Sequence, residues 1–141
     1  MSATPDSVVR TWFEELWNQG KEDTMDRLFA SDGIAHGLGA DGAPMRGPEG
    51  YRPFYRAFRE AFPDVRVEVL RTVTEGELVT AHCRVVGTHH GNALGGPTGR
   101  PVDFSGMTIA RVRDGKIIEA WNTFDFMSFY QQIGKLPPLA P

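Results

Sequence analysis

The sequence predicts an α+β fold, in which a curved antiparallel sheet wraps around helices from the N-terminal half as a cone-shaped barrel with an interior pocket. Apolar residues recur at helical spacing in three segments before residue 64. Four long segments after it alternate apolar and polar residues, as strands do. The strongest local signal is Asp114-Gly115, a hairpin dipeptide between runs rich in Val, Ile, Phe and Trp. Helices followed by a run of antiparallel strands are typical of the α+β class.

Composition favours a single globular domain over residues 1–141. The chain is 40% hydrophobic and 23% charged, and its net charge of −3 argues against nucleic acid or an anionic membrane as a partner. No apolar run reaches the roughly 18 residues of a membrane span, and no basic-then-apolar leader opens the chain. We therefore expect a cytoplasmic protein. The single cysteine, Cys83, excludes an intramolecular disulfide.

The helical segments have identifiable starts and apolar faces. Thr4 or Asp6 can cap the first helix, whose apolar positions are Val9, Trp12, Phe13, Leu16 and Trp17. A second short helix is predicted over residues 22–29. Pro48 and Glu49 open a third helix, which carries the apolar face Tyr51, Phe54, Tyr55, Phe58, Ala61 and Phe62. A last short helix follows Asp125.

Strands and loops fill the rest of the chain. Residues 34–36 allow only a brief strand, and long strands are predicted from residue 65 to 74 and from 78 to 89. Residues 37–47, more than half of them Gly, Ala or Pro, predict a mobile loop at the mouth of the pocket. Residues 90–100 form a second Gly-rich loop. Neither loop has the strand and helix context of a phosphate-binding loop, so nucleotide binding is not expected.

The hairpin predicts which side chains enter the pocket. A regular two-residue turn pairs Arg113 with Lys116, and counting outward places Asp103 and Met107 on the same face as Asn122 and Phe124. This face combines apolar bulk with convergent polar groups, so we expect it to line the pocket. The opposite face is also apolar and should pack against another sheet or a second subunit.

Four segments of the chain match a known pattern. These are VVRTWFEELWNQGKEDTMDRLFASDGIAHG, GPEGYRPFYRAFREAFPDVRVEV, GTHHG and PTGRPVDFSGMTIARVRDGKIIEAWNTFDF. In this order they resemble SnoaL-like polyketide cyclases of the nuclear transport factor 2-like superfamily. The resemblance implies an α+β cone, a cofactor-free pocket, and a dimer or higher oligomer packed through the outer face of the sheet. Characterised members close rings by aldol condensation or epoxide opening, and the superfamily includes hydrolases, dehydratases and isomerases.

One departure from the family pattern concerns the catalytic acid/base. In the aldol-type cyclases an aspartate on the last strand has this role, and the matching position here is Asn122, in WNTFDF. An amide cannot take a proton from carbon, so we do not expect the aldol mechanism in its family form. Asp125 is near but should face the other way.

Three residues are candidates for catalysis. His36, at the predicted pocket rim, suits proton transfer at neutral pH, or it is a histidine bonded to the loop backbone. Asp103, if surrounded by apolar residues, would have a raised pKa and act as acid or base, or a bulge near the start of the strand would turn it outward or pair it with Arg100. Asn122 can stabilise charge on a substrate oxygen, or bridge strand and helix.

The predicted substrate contacts are Trp17, Phe58, His89, Met107 and Phe124. Of these, His89 has the alternative of a buried, hydrogen-bonded histidine. Four histidines without a cysteine cluster predict no metal site, and the resemblance implies no cofactor. Two functions remain open: an enzyme that cyclises, hydrolyses or isomerises a hydrophobic polyketide-like or epoxide substrate, and a protein that binds a hydrophobic small molecule without converting it. The expected partners are that small molecule and a second copy in a homodimer.

Overall fold

A computed structural model of the chain describes residues 3–137. The first helix, α1 (Pro5–Thr11), begins as predicted, because the Thr4 side chain accepts a hydrogen bond from the amide of Ser7. It continues directly into a π-helix, Trp12–Asn18, which the apolar spacing did not reveal. The wider winding of this segment buries Trp12, Phe13, Leu16 and Trp17 together.

Three further helices have the predicted places in the chain. They are α2 (Asp23–Leu28), α3 (Gly47–Ala61) and α4 (Phe126–Gln132). The side chain of Asp125 caps α4 by accepting from the amide of Ser128. Glu22, just before α2, forms ion pairs with Arg52 and Arg56 of α3, and so joins the two helices.

Six strands form one open sheet: β1 (Phe29–His36), β2 (Met45–Arg46), β3 (Arg66–Glu75), β4 (Leu78–Thr88), β5 (Pro101–Arg113) and β6 (Lys116–Phe124). Their order is β2-β1-β6-β5-β4-β3. The predicted α+β architecture is confirmed, but the sheet is mixed, since β1 runs parallel to β6. The first strand is also longer than predicted. Within residues 3–137, no helix combines the length and apolar character needed to cross a membrane.

The central hairpin has the predicted turn but a different register. Asp114 and Gly115 both have positive φ, as a two-residue turn between twisted strands requires. Beyond the turn, Val112 pairs with Ile117 but Arg111 pairs with Glu119, so β6 contains one extra residue, a β-bulge. Because side chains alternate, this bulge shifts every later pair by one and reverses the face of β5 relative to β6.

The helices cover one face of the sheet and leave a cavity beneath them. Trp17 has edge-to-face contacts with Tyr51, Phe54, Tyr55 and Phe58, with ring centroids 5.1 to 6.4 Å apart. The opposite, outer face is less covered, and its exposed apolar residues include Val73, Met107, Ile109 and Trp121.

Candidate functional site

The candidate site is the cavity between the helices and the inner face of the sheet. The space between its atoms is about 780 Å³, including the part open to solvent at the mouth. Aromatic residues from the helices and from the start of β1 line it, and so does Leu38, from the loop predicted to lie at the mouth. Among these aromatic residues are Phe13, Trp17, Phe29, Phe54 and Phe58. Rigid aromatic walls of this kind favour a flat, apolar ligand.

Two polar side chains on the sheet project into this apolar space. Thr108 on β5 donates its hydroxyl hydrogen to Oδ1 of Asn122 on β6, at 2.7 Å. Nδ2 of Asn122 donates to the backbone carbonyl of His36, at 2.9 Å. These two bonds fix the orientation of the amide. Because an amide carries two hydrogens on nitrogen, one N–H of Asn122 is left for a ligand.

The polar groups on the helix side are Tyr51, Trp12 and Trp17, which also line the cavity. Burial is the largest influence on the Tyr51 hydroxyl and raises its pKa. Like any tyrosine hydroxyl, it is protonated at neutral pH and can act as a donor. The sequence analysis assigned Tyr51 only to the apolar face of the third helix. The one feature that could have indicated a polar role was a tyrosine on a face rich in phenylalanine.

The cavity lacks an obvious general base. Among the residues between positions 3 and 137 that line it, there is no Asp, Glu, His, Lys, Arg or Cys. An anionic ligand would lose its hydration without gaining a cationic partner, which is costly. The chemical character of the site is therefore that of a neutral, apolar chamber with a few hydrogen-bond donors.

The prediction that His36 lies at the pocket is wrong. Its neighbour Ala35 lines the cavity, and the alternation of β1 turns His36 to the outer face of the sheet. There Nε2 is 2.7 Å from Oε2 of Glu119, and the imidazole stacks on Trp121 with ring centroids 5.9 Å apart. The only contact of His36 with the site is made by its backbone carbonyl, which accepts a hydrogen bond from Asn122.

The predictions for Asp103 and Met107 are also wrong, for one shared reason. The bulge in β6 turns both side chains to the outer face, where Met107 is 50% exposed. Asp103 pairs there with Arg84 at 2.6 Å. The hydrogen bond from Arg84 lowers the pKa of Asp103, which is the opposite of the predicted shift.

His89 is a structural residue and does not line the cavity. It is fully buried and stacks on Phe62. Its Nε2 is 2.9 Å from the carbonyl of Ala93, and its Nδ1 is 3.0 Å from Oγ1 of Thr98. Because the carbonyl can only accept, Nε2 carries a hydrogen, and the ring ties residues 89–100 together. The predicted substrate contact is therefore wrong, and the alternative of a buried histidine is correct.

The remaining predicted residues lie at the cavity. Trp17, Phe58 and Phe124 contribute ring surface, and Asn122 contributes the polar group expected of it. Thr108 takes the place on the inner face that the regular register had given to Met107. The roles of these residues toward a ligand stay predictions.

Comparison with known proteins identifies the family. The model of the SnoaL-like polyketide cyclase family matches residues 7–133. The chain belongs to this family. Among SnoaL-like relatives, aklanonic acid methyl ester cyclase DnrD of Streptomyces peucetius is 28% identical over 137 residues, which cover 96% of this chain and 93% of that enzyme.

Solved structures agree with the SnoaL-like assignment. IdmH from Streptomyces antibioticus, a candidate polyketide cyclase, is 32% identical with a TM-score of 0.81, and the match covers 94% of this chain and 99% of IdmH. A candidate SnoaL-like polyketide cyclase from Jannaschia sp. CCS1 is 26% identical with a TM-score of 0.83, over 95% and 93% of the two chains. A Catenulispora acidiphila protein with a ketosteroid isomerase-like fold matches with a TM-score of 0.76.

Proposed function

We propose that the protein is an enzyme that cyclises a neutral, hydrophobic, polyketide-like substrate inside the cavity. The observation that carries this proposal is the Asn122 amide, which lines a largely apolar cavity and is fixed by Thr108 and by the His36 carbonyl, so that its second N–H is available to a ligand. A fixed dipole in a water-poor site stabilises charge on a substrate oxygen without having to reorganise during the reaction.

Ring closure in such a site is an isomerisation. An enol carbon of the substrate attacks a carbonyl carbon of the same molecule, and a carbon–carbon bond forms as the carbonyl π bond opens. The enol proton ends on the new hydroxyl, so the product has the mass of the substrate. The aromatic walls hold the two carbons close together, which alone can lower the barrier by several kcal/mol. The N–H of Asn122 stabilises the developing alkoxide.

Because no carboxylate or imidazole is among the described residues that line the cavity, we propose that the substrate enters as its enol, so that the protein need not remove a proton from carbon. His36 and Asp103 have no part in this mechanism, because both lie on the outer face. Hydrolysis would need a base that activates water, and ring closure by epoxide opening would need a base for the attacking hydroxyl; no described lining residue provides one. Cyclisation by positioning and hydrogen bonding is the reaction that fits these residues best.

Aklanonic acid methyl ester, the compound in the name of DnrD, is the first substrate to test, followed by other polyketide methyl esters. Chromatography with mass spectrometry detects a product of unchanged mass. We expect Asn122→Leu to lower kcat about 100-fold, as loss of one oxyanion donor does elsewhere. The control Asp103→Asn, on the outer face, should keep the wild-type rate. If Asp103→Asn loses activity while Asn122→Leu keeps it, the reaction takes place on the outer face of the sheet, and the proposed site is wrong.

A second function is favoured by the same lack of a titratable base: binding of a hydrophobic small molecule without conversion. Turnover separates the two functions. If the esters bind in the cavity and are recovered unchanged after long incubation, the protein is a binding protein and the cyclase proposal fails.

We also propose that the protein forms a homodimer through the outer face of the sheet. Exposed Met107, Ile109 and Trp121 lie together there around a shallow depression, and they would be covered by a second copy. Ile109→Glu should convert a dimer to a monomer in sedimentation, whereas Met127→Glu, at an exposed methionine of α4, should not. A monomeric wild type would contradict this part of the proposal.

A further inference from the structure

Two tyrosines one turn apart in α3 differ in how their hydroxyls are satisfied. The hydroxyl of Tyr55 donates to the backbone carbonyl of Leu16, at 2.9 Å. Tyr51 is 95% buried, since its relative exposure is 5%. Within residues 3–137, however, its hydroxyl donates no hydrogen bond comparable to that of Tyr55. Tyr51 lines the cavity and Tyr55 does not. One hydroxyl therefore has a structural role, and the other is available to a ligand.

The surroundings of Tyr51 hold the ring in the cavity wall. Trp12 and Phe29 contact the ring edge to face, with centroids 5.3 and 6.0 Å away, and Trp17 does so at 6.4 Å. These contacts restrict the ring, and Tyr51 lines the cavity, so the hydroxyl hydrogen is available to an acceptor that enters there.

We propose that the Tyr51 hydroxyl determines specificity by donating a hydrogen bond to a neutral carbonyl or ester oxygen of the apolar ligand. This inference rests on the proposed function and names a second contact in the same cavity. Tyr51 comes from the helices and Asn122 from the sheet, so the two donors lie on facing walls of the chamber. The ligand class is therefore a flat apolar molecule with an oxygen function at each side.

Charge limits the ligand class further. A carboxylate would need a cation or several donors to offset its desolvation, and no Lys or Arg lines the cavity within the part of the chain described. A ketone or a methyl ester needs only one donor. Tyr51, whose hydroxyl is protonated at neutral pH, is such a donor.

The test uses two probes that differ only in replacement of C=O by CH₂: 1-tetralone and tetralin. Their affinities are measured by titration of the full chain, following the indole ¹H–¹⁵N signals of Trp12 and Trp17. Three proteins are compared: wild type, Tyr51→Phe and the matched control Tyr55→Phe. We expect Tyr51→Phe to weaken 1-tetralone about threefold to tenfold, the worth of one hydrogen bond, and to leave tetralin unchanged. Tyr55→Phe should change neither affinity.

A second readout needs no variant: the ¹³C signal of the carbonyl of 1-tetralone should move downfield on binding to the wild type, as in a hydrogen-bonded ketone. The proposal is overturned if this signal does not move, if Tyr51→Phe weakens both probes equally or neither, or if Tyr55→Phe reproduces the effect. In these cases both probes still bind, and the proposed function stands. If neither probe binds the wild type, the cavity is not a ligand site, and both proposals fail.

Discussion

The pair Thr108–Asn122 gives the sharpest test of the site, because each partner can be removed separately. Thr108→Val removes one hydrogen bond and should cost about 1 kcal/mol of unfolding free energy. Asn122→Leu removes two bonds and leaves the Thr108 hydroxyl and the His36 carbonyl without their partner, so it should cost about 2–3 kcal/mol. In the double variant the Thr108 hydroxyl is absent and cannot be left without a partner. The Thr108–Asn122 bond, which each single variant loses, is lost only once.

Urea unfolding of the four proteins, followed by circular dichroism, measures the coupling between the two residues. The double variant should be about 1 kcal/mol more stable than the sum of the single effects predicts. A matched pair of distant changes, Asn122→Leu with Val73→Thr on the exposed outer face, should be additive within about 0.5 kcal/mol. Additivity of Thr108→Val and Asn122→Leu would refute the hydrogen bond that fixes the amide, and with it the oriented donor of the proposed mechanism.

Three further predictions concern stability and reactivity. The hydrogen bond from Arg56, followed by that from Arg52, lowers the pKa of Glu22 from 4.5 to about 2. The stability that ionised Glu22 gives to the fold is therefore complete above pH 4.5 and is lost as the pH falls toward 2. Glu22→Gln should cost about 1 kcal/mol of unfolding free energy at pH 7 and should reduce the pH dependence of that free energy between pH 4.5 and 2. Burial raises the pKa of the Cys83 thiol to about 12, so iodoacetamide at pH 8 should modify it, by mass spectrometry, only after unfolding. A Cβ at Gly106 would lie 2.6 Å from Cα of Phe124, so Gly106→Ala should cost about 1–3 kcal/mol in urea unfolding; an unchanged midpoint would contradict the close approach of β5 and β6.

The strongest local signals predicted the architecture well. Thr4 and Asp125 begin helices as their side chains allow, and Asp114-Gly115 forms the turn expected of it. The aromatic residues of the helices line the cavity because their spacing places them on one buried face. These features depend on short-range chemistry, which a sequence shows directly.

The face of each β5 side chain could not be predicted, because it depends on a single bulge. Ile118, within the bulge, is an ordinary strand residue, and no glycine or proline marks the irregularity. One inserted residue was sufficient to move Asp103 and Met107 out of the pocket and Thr108 into it. The candidate base was lost by this shift, and the Thr108–Asn122 pair was missed.

The π-helix at Trp12–Asn18 links the backbone to ligand recognition. In a regular α-helix, residues five apart point about 140° away from each other, so Trp12 and Trp17 could not both reach Tyr51. The wider i→i+5 winding, seen in the bond from the Gln19 amide to the Glu14 carbonyl, brings the two indoles to the same side. A change that restored α-helical winding here would separate the two indoles and reshape the cavity wall, so the unusual backbone of these seven residues is part of the architecture of the ligand chamber.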